Sequence, residues 1–194
     1  MSHSVENILD IMERIGEDEL LSSLSDFSCG VNKDIQNFLQ LKAIDFAKKR
    51  MSITHLVIDD ASADILGYFT LTHKVLYIPA EGLSNTVKRR LDRYGNFDKD
   101  TNSYLMSAFL LAHFGKNFAL DEENRIKGTD LMDCVDSILR DIQFRVGGGV
   151  VYLDSMDNEH LIHFYGDVCG YRKFSERISE TNNTKYLQYL KFIC

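Results

Sequence analysis

The segment Arg125-Ile126-Lys127-Gly128-Thr129 directly precedes a run in which Leu131, Met132, Val135, Ile138, Leu139 and Ile142 recur at helical spacing. The first N–H groups of a helix lack partners inside it, and the helix dipole favours an anion at that end. Gly128 admits close backbone approach, and Arg125 and Lys127 add positive charge, so the segment suits an anion. The ordinary alternative is a loop with two solvated basic residues and a helix-starting glycine. Other reactive types are scattered. Cys29 has no His or Asp partner placed beside it by sequence and reads as a small buried packing residue. His160 and His163 can share a helix face, but no third or fourth ligand accompanies them, so no metal site is expected. His73 and Glu81 follow a hairpin and read as surface residues; neither is assigned as a base.

The elements that must position these residues follow from apolar periodicity. A helix is expected over Val5–Ile15. A second opens at Asn32 as N-cap, buries Ile35, Phe38, Leu39, Ala43, Phe46 and Ala47, and ends in Lys48-Lys49-Arg50. His55–Ile58 and Leu66–Leu71 are β-rich runs joined by the polar Asp59–Asp64, a hairpin whose second strand Lys74–Ile78 extends. A short basic helix runs from Asn85 to Tyr94 and stops at Gly95. The later part of Tyr104–Phe114 is a buried strand, Gly128–Val146 a long helix, and Val150–Leu153 a short buried strand. Asp157 is expected to cap the next helix, which carries Leu161, Ile162, Phe164, Tyr165 and Val168. Tyr171–Phe174 and Tyr186–Ile193 supply two last strands. The order predicts a mixed α/β (α+β) sheet with helices on both faces.

Composition bounds the rest. At 194 residues, with 44% hydrophobic and 26% charged residues and one proline, Pro79, the chain reads as a single domain without a linker, residues 1–26 forming a helical extension packed on it. A net charge of -7 argues against a general nucleic-acid binder, though not against a local patch such as Lys88, Arg89, Arg90 and Arg93, or Lys48-Lys49-Arg50. The longest apolar run, Ala108–Ala112, is too short to cross a bilayer, and no signal-peptide core opens the chain. Cys29, Cys134, Cys169 and Cys194 form no C-x-x-C pair and read as reduced thiols, so a cytoplasmic protein is expected.

Three local sequences, read with that element order, resemble the GNAT acetyltransferases over about Phe27 to Phe174. Phe27-Ser28-Cys29-Gly30, with Ile35, Phe38-Leu39, Ala43 and later Leu66–Leu71, resembles the amino-terminal half of the GNAT subgroup that includes toxins of toxin–antitoxin pairs. Arg125–Asp130 resembles the R/Q-x-x-G-x-G/A loop, with Asp130 standing where the family has Gly or Ala. Asn158–Tyr165 followed by Gly170-Tyr171 resembles the N-x-x-x-x-x-F-Y-x-x-x-G-F element after the fifth strand.

The resemblance implies a GNAT fold: a mixed, largely antiparallel sheet with a splayed strand pair that binds the cofactor. It implies acetyl-CoA as cofactor, its diphosphate on Arg125, Ile126, Lys127, Gly128 and Thr129. It implies that Phe114, Gly115 and Lys116, at the end of the fourth strand, together with Asn158, bond the pantetheine arm. The competing roles are a turn glycine for Gly115 and a helix cap for Asn158. Tyr165 is implied as general acid toward the departing thiolate, a task open to a phenol; its competing role is a core aromatic packed beside Phe164. The implied reaction is direct transfer of an acetyl group to a primary amine. Acetylation of an aminoacyl-tRNA, or a non-catalytic GNAT-like interaction protein supported by Asp130, are the alternatives. Implied partners are the amine acceptor, with an aminoacyl-tRNA, an antitoxin protein and a second copy of the chain as further candidates.

Overall fold

A computed structural model describes residues 2–30, 32–179 and 183–193. Its element order is β1 (His3–Asn7), α1 (Ile8–Ile15), α2 (Glu17–Ser25), α3 (Lys33–Leu41), α4 (Ala43–Lys48), β2 (Ile53–Asp59), β3 (Ile65–Pro79), α5 (Asn85–Leu91), β4 (Gly95–Asp98) and β5 (Ser103–Lys116). After a 3-10 turn at Glu122–Asn124 come α6 (Gly128–Val146), β6 (Val150–Met156), α7 (Glu159–Ile162), a π-helical turn (His163–Val168), β7 (Arg172–Ile178) and β8 (Lys185–Phe192). The strands form an eight-stranded sheet in the order β1-β2-β3-β5-β6-β8-β7, with β4 on β5. The chain divides into two compact units, Met1–Thr72 with Leu111–Ser137, and His73–Leu110 with Ile138–Cys194.

In the first unit, β2 pairs antiparallel with β3 from Ile53↔Leu71 to Ile58↔Ile65, the expected hairpin. The helix expected from Val5 begins instead at Ile8. His3–Asn7 forms a strand antiparallel to β2, and Asn7 Oδ1 caps α1 by accepting from Leu9 N at 2.9 Å. The helix expected from Asn32 does open there, with Asn32 Oδ1 accepting from Ile35 N at 3.3 Å. It is broken at Lys42 (φ -130°) into α3 and α4. Together α1 to α4 bury Ile8, Leu20, Leu24, Leu39 and Ala43 against Phe27, Leu56 and Tyr68. Full burial of an aliphatic or Phe side chain contributes about 1.5–3 kcal/mol, so these residues hold the helices on the strands. Side chains alternate across a strand, and Gly67, one residue before Tyr68, lies on the opposite face. A Cβ there would stand 2.9 Å from Gly115 O and 3.2 Å from Leu131 Cδ2, so the missing side chain makes room for both the β5 backbone and α6 on that face.

In the second unit, β5 pairs antiparallel with β4 and parallel with β6 through Phe109↔Val151 and Leu110↔Tyr152; β6, β8 and β7 follow antiparallel. The expected extension of β3 is one continuous strand to Pro79. Helix α5, capped by Ser84, buries Val87 and Leu91 against Leu76, Ile78, Met106, Tyr152, Leu190 and Phe192. Tyr189, adjacent to Leu190 and so on the other face, packs with Tyr165 at 6.3 Å between ring centroids. Helical segments thus cover both faces in each unit.

Candidate functional site

The residues singled out by sequence fall into two groups, one in each unit. In the first unit, α6 starts where expected. Leu131 N bonds Lys127 O at 3.1 Å, which leaves the N–H groups of Gly128, Thr129 and Asp130 without intrahelical partners. Lys127 and Thr129 are exposed beside them, whereas Ile126 is buried and anchors the loop. Arg125 is occupied. Its Nε donates to Leu120 O at 2.8 Å and a terminal nitrogen donates to Phe118 O at 3.1 Å, with the guanidinium over the Phe118 ring. Arg125 therefore shapes the turn ahead of α6. Asp130 is exposed, and its carboxylate accepts from the Thr129 hydroxyl at 3.2 Å. The donor set of a long helix start, a glycine at its first position and an exposed lysine fits a diphosphate.

Phe114, Gly115 and Lys116 close β5. An added Cβ on Gly115 would lie 2.7 Å from Ile35 Cγ2 and 3.2 Å from Cys29 Sγ, so packing alone requires glycine. Phe114 and Lys116 are half-buried, and Lys116 Nζ lies 5.5 Å from the centre of the Phe118 ring. The next residue, Asn117, ties the strand end down. Its Oδ1 accepts from Ser28 N at 3.1 Å and its Nδ2 donates to Ile65 O at 2.8 Å.

In the second unit, α7 is capped by Asn158, not by Asp157 as expected. Asn158 Oδ1 accepts from His160 N at 3.0 Å and Leu161 N at 3.3 Å, while Asp157 pairs with Lys185 at 3.0 Å. Both are capping residue types, and the residue with extended backbone immediately before the first helical turn takes the role. Tyr165 sits in the π-helical turn, marked by Cys169 N bonding Phe164 O at 2.9 Å. The resembling motif has three residues between its Tyr and Gly. Here Gly166, Asp167, Val168 and Cys169 intervene, and a π turn takes up one extra residue. Gly170 (φ 72°) then reverses the chain, and Tyr171 N bonds Tyr165 O at 2.9 Å.

The Tyr165 ring, 9% exposed, meets Phe164 edge-on at 5.1 Å and Tyr171 at 6.0 Å. Burial, and secondarily Cys169, push its phenol above the ordinary value, so the hydroxyl stays protonated. π turns are frequent at functional sites. His163, two residues earlier, pairs with Asp167 one turn on at 2.9 Å. His73 Nε2 lies 3.1 Å from the Ser107 hydroxyl, and Glu81 is exposed.

Two histidines stand out only in the structure. His113 stacks on Phe38 at 3.6 Å with its Nδ1 unpartnered among the described residues, and His55 stacks on Phe69 at 5.1 Å. Burial lowers both to about 4, countered in His55 by Asp10 and reinforced in His113 by Lys42. A histidine inside an apolar strand run, as in Leu111-Ala112-His113-Phe114, is the signal that could have marked the latter. Cys29 and Cys134 are buried and pushed up by burial, and with Cys169 they are free thiols; Cys194 lies outside the described residues. Among the described residues no helix is long and apolar enough to cross a membrane.

No family model and no curated protein matches the chain in sequence. Solved structures do match in shape. AtaT complexed with acetyl-methionyl-tRNAfMet superposes with a TM-score of 0.65 at 14% identity, over 96% of this chain and 94% of that one. AtaTR bound with AcCoA gives 0.61 at 14%, over 98% and 93%. A tyrosine-to-phenylalanine mutant of KacT gives 0.65 at 15%, over 98% and 95%. The chain has the GNAT fold. The mixed, largely antiparallel sheet implied by the resemblance is therefore the one observed, and at this identity the fold is what the chain shares with these toxins.

Proposed function

We propose that the chain works as one GNAT domain over residues 1–194 that moves the acetyl group of acetyl-CoA directly to a primary amine. The observation that carries this reading is Tyr165, set with Phe164 in a π turn directly after β6 and α7 of a GNAT fold, its phenol kept protonated by burial. Acetyl-CoA supplies an activated thioester. The N–H groups of Gly128 and Thr129 and the Lys127 ammonium hold its diphosphate, Ile126 anchors their loop, and Arg125 keeps that loop in shape through Phe118 and Leu120. Phe114, Gly115 and Lys116 offer strand backbone to the pantetheine amides. The Asn158 amide nitrogen, which donates to no described residue, offers a further donor. Tyr165 donates its proton or hydrogen bond to the departing sulfur, and its raised pKa favours the hydrogen bond over complete transfer. A thiol-release assay with acetyl-CoA against a panel of amines, peptides and aminoacyl-tRNAs tests the reading.

A second acceptor is favoured by a specific observation: AtaT of the same fold is complexed with acetyl-methionyl-tRNAfMet. We infer that an aminoacyl-tRNA, whose α-amine is primary, is the strongest acceptor candidate. The AtaT complex with the C-terminus of the antitoxin AtaR supports an antitoxin as partner. The non-catalytic alternative rested on Asp130, whose exposed carboxylate in the first turn also serves the helix dipole. Free thiols at Cys29, Cys134 and Cys169 support the cytoplasm as the compartment.

A further inference from the structure

The chain carries two basic clusters, and the structure treats them differently. After α4, Lys48 Nζ is paired with Glu17 and Lys49 Nζ with Asp45 at 2.8 Å, so both lysine charges are answered inside the chain. Lys88, Arg89 and Arg93 make no ion pair among the described residues. Asp92, the acid between them, faces the Tyr104 phenol, which is raised by burial and by that charge. The first turn of α5 holds no acidic residue.

Helix geometry orders these cations. Val87 and Leu91 are buried, whereas Arg89 on α5 and Arg93, four residues on and just past the helix end, are exposed. Lys88 and Arg90 flank them, Arg90 lying over the Phe192 ring at 4.0 Å. Like charges one turn apart repel. The dipole welcomes cations in the last turn, but a ridge continuing past the helix end to Arg93 exceeds what one helix terminus calls for. Closely spaced cations, of which Lys88, Arg89 and Arg93 meet no counter-charge among the described residues, match a polymer of phosphates, and a local ridge can serve even in a chain of net charge -7.

We propose that α5 and Arg93 form the contact surface for the phosphate backbone of an acceptor RNA; this rests on the reading that the acceptor amine is carried by a tRNA. The test uses the full chain and bulk uncharged tRNA, with the dissociation constant followed by fluorescence anisotropy across a KCl series. The triple variant K88Q/R89Q/R93Q should bind more weakly, and its slope of log affinity on log salt should be shallower by about 2–3, about one for each phosphate that is no longer neutralised. Its acetyl-CoA affinity and thermal midpoint should match the wild type. The paired control K48Q/K49Q should keep the wild-type slope. An unchanged slope in the α5 variant, or an equally shallow slope in the control, overturns the proposal and leaves these cations to the helix dipole. A wild type that acetylates small amines yet shows no salt-dependent tRNA binding overturns it alone. A wild type that fails to bind acetyl-CoA at all removes the enzyme reading beneath it.

Discussion

Gly115→Ala adds one methyl group where there is no room for it. The new Cβ would stand 2.7 Å from Ile35 Cγ2 and 3.2 Å from Cys29 Sγ, whereas carbons at rest lie about 3.5–4.0 Å apart. Ile35 must retreat by roughly 1 Å to reach that spacing. Its carbonyl, however, accepts from the Tyr68 hydroxyl at 2.6 Å, and Tyr68 is fully buried in edge contact with Phe27 at 5.4 Å. Overpacking of this kind costs about 1–3 kcal/mol, while losing a glycine gains back about 0.4–1 kcal/mol through the unfolded chain. A net loss of about 1–2 kcal/mol should lower the thermal midpoint by roughly 2–8 °C in a chain of this size. Calorimetry of Gly115→Ala, Ile35→Ala and the double variant isolates the clash. The glycine substitution should cost markedly less once Ile35 is truncated, a coupling of about 1 kcal/mol. Equal costs in both backgrounds, or a more stable Gly115→Ala, would refute the packing explanation. Acetyl-CoA affinity in the double variant then reads what Gly115 does for the cofactor apart from packing.

Tyr165→Phe keeps the ring against Phe164 and Tyr171, so the fold should survive while single-turnover transfer slows by about 10²-fold, the low end for a positioned acid; equal rates would reduce Tyr165 to packing. With its phenol held above 10.0, transfer by the wild type should show no alkaline loss from Tyr165 below that pH, which a pH–rate profile checks. His113 falls from 6.5 in the unfolded chain to about 4 when folded. Its neutral form is favoured by the fold, so this stability is complete above 6.5 and is lost as pH falls toward 4. The slope is at most about 1.4 kcal/mol per pH unit. Urea unfolding of His113→Phe should show a shallower acid loss than the wild type, with His55 still contributing; an identical slope would show that His113 does not titrate this way. Gly128→Val should shrink the rise in thermal midpoint that acetyl-CoA gives the wild type, since a ligand stabilises only the state it binds; an equal rise would take the diphosphate away from this helix start.

What was legible in the sequence was what side-chain periodicity carries. Helix α6 was readable because Leu131, Val135 and Leu139 mark one face and Gly147 follows its end, and the β2–β3 hairpin because its strands are β-rich and its loop polar. Strand β1 was hidden because His3-Ser4-Val5-Glu6-Asn7 is a polar edge strand, and Val5 extends the helical pattern of Ile8, Leu9 and Met12 by chance. The break at Lys42 was hidden because apolar residues stay in phase across it, and β4 because Gly95-Asn96-Phe97-Asp98 has the composition of a turn. At the candidate site, Tyr165 was singled out through its neighbours in sequence, but the π turn that holds it is a backbone pattern that side-chain spacing does not record. The hydrogen bonds of Arg125 to Phe118 and Leu120 were hidden because a basic residue near a glycine reads the same whether it faces solvent or folds back onto backbone carbonyls.

The central claim is transfer from acetyl-CoA to an amine, and thiol release measures it most directly. Wild-type protein, acetyl-CoA and each acceptor in turn, including small primary amines and aminoacyl-tRNAs, are followed with a thiol reagent while mass spectrometry reads the acceptor. Free thiol should appear only when acetyl-CoA and a primary amine are both present, in step with an acceptor heavier by one acetyl group. No thiol with any acceptor, together with no calorimetric heat on titrating acetyl-CoA, would contradict the claim.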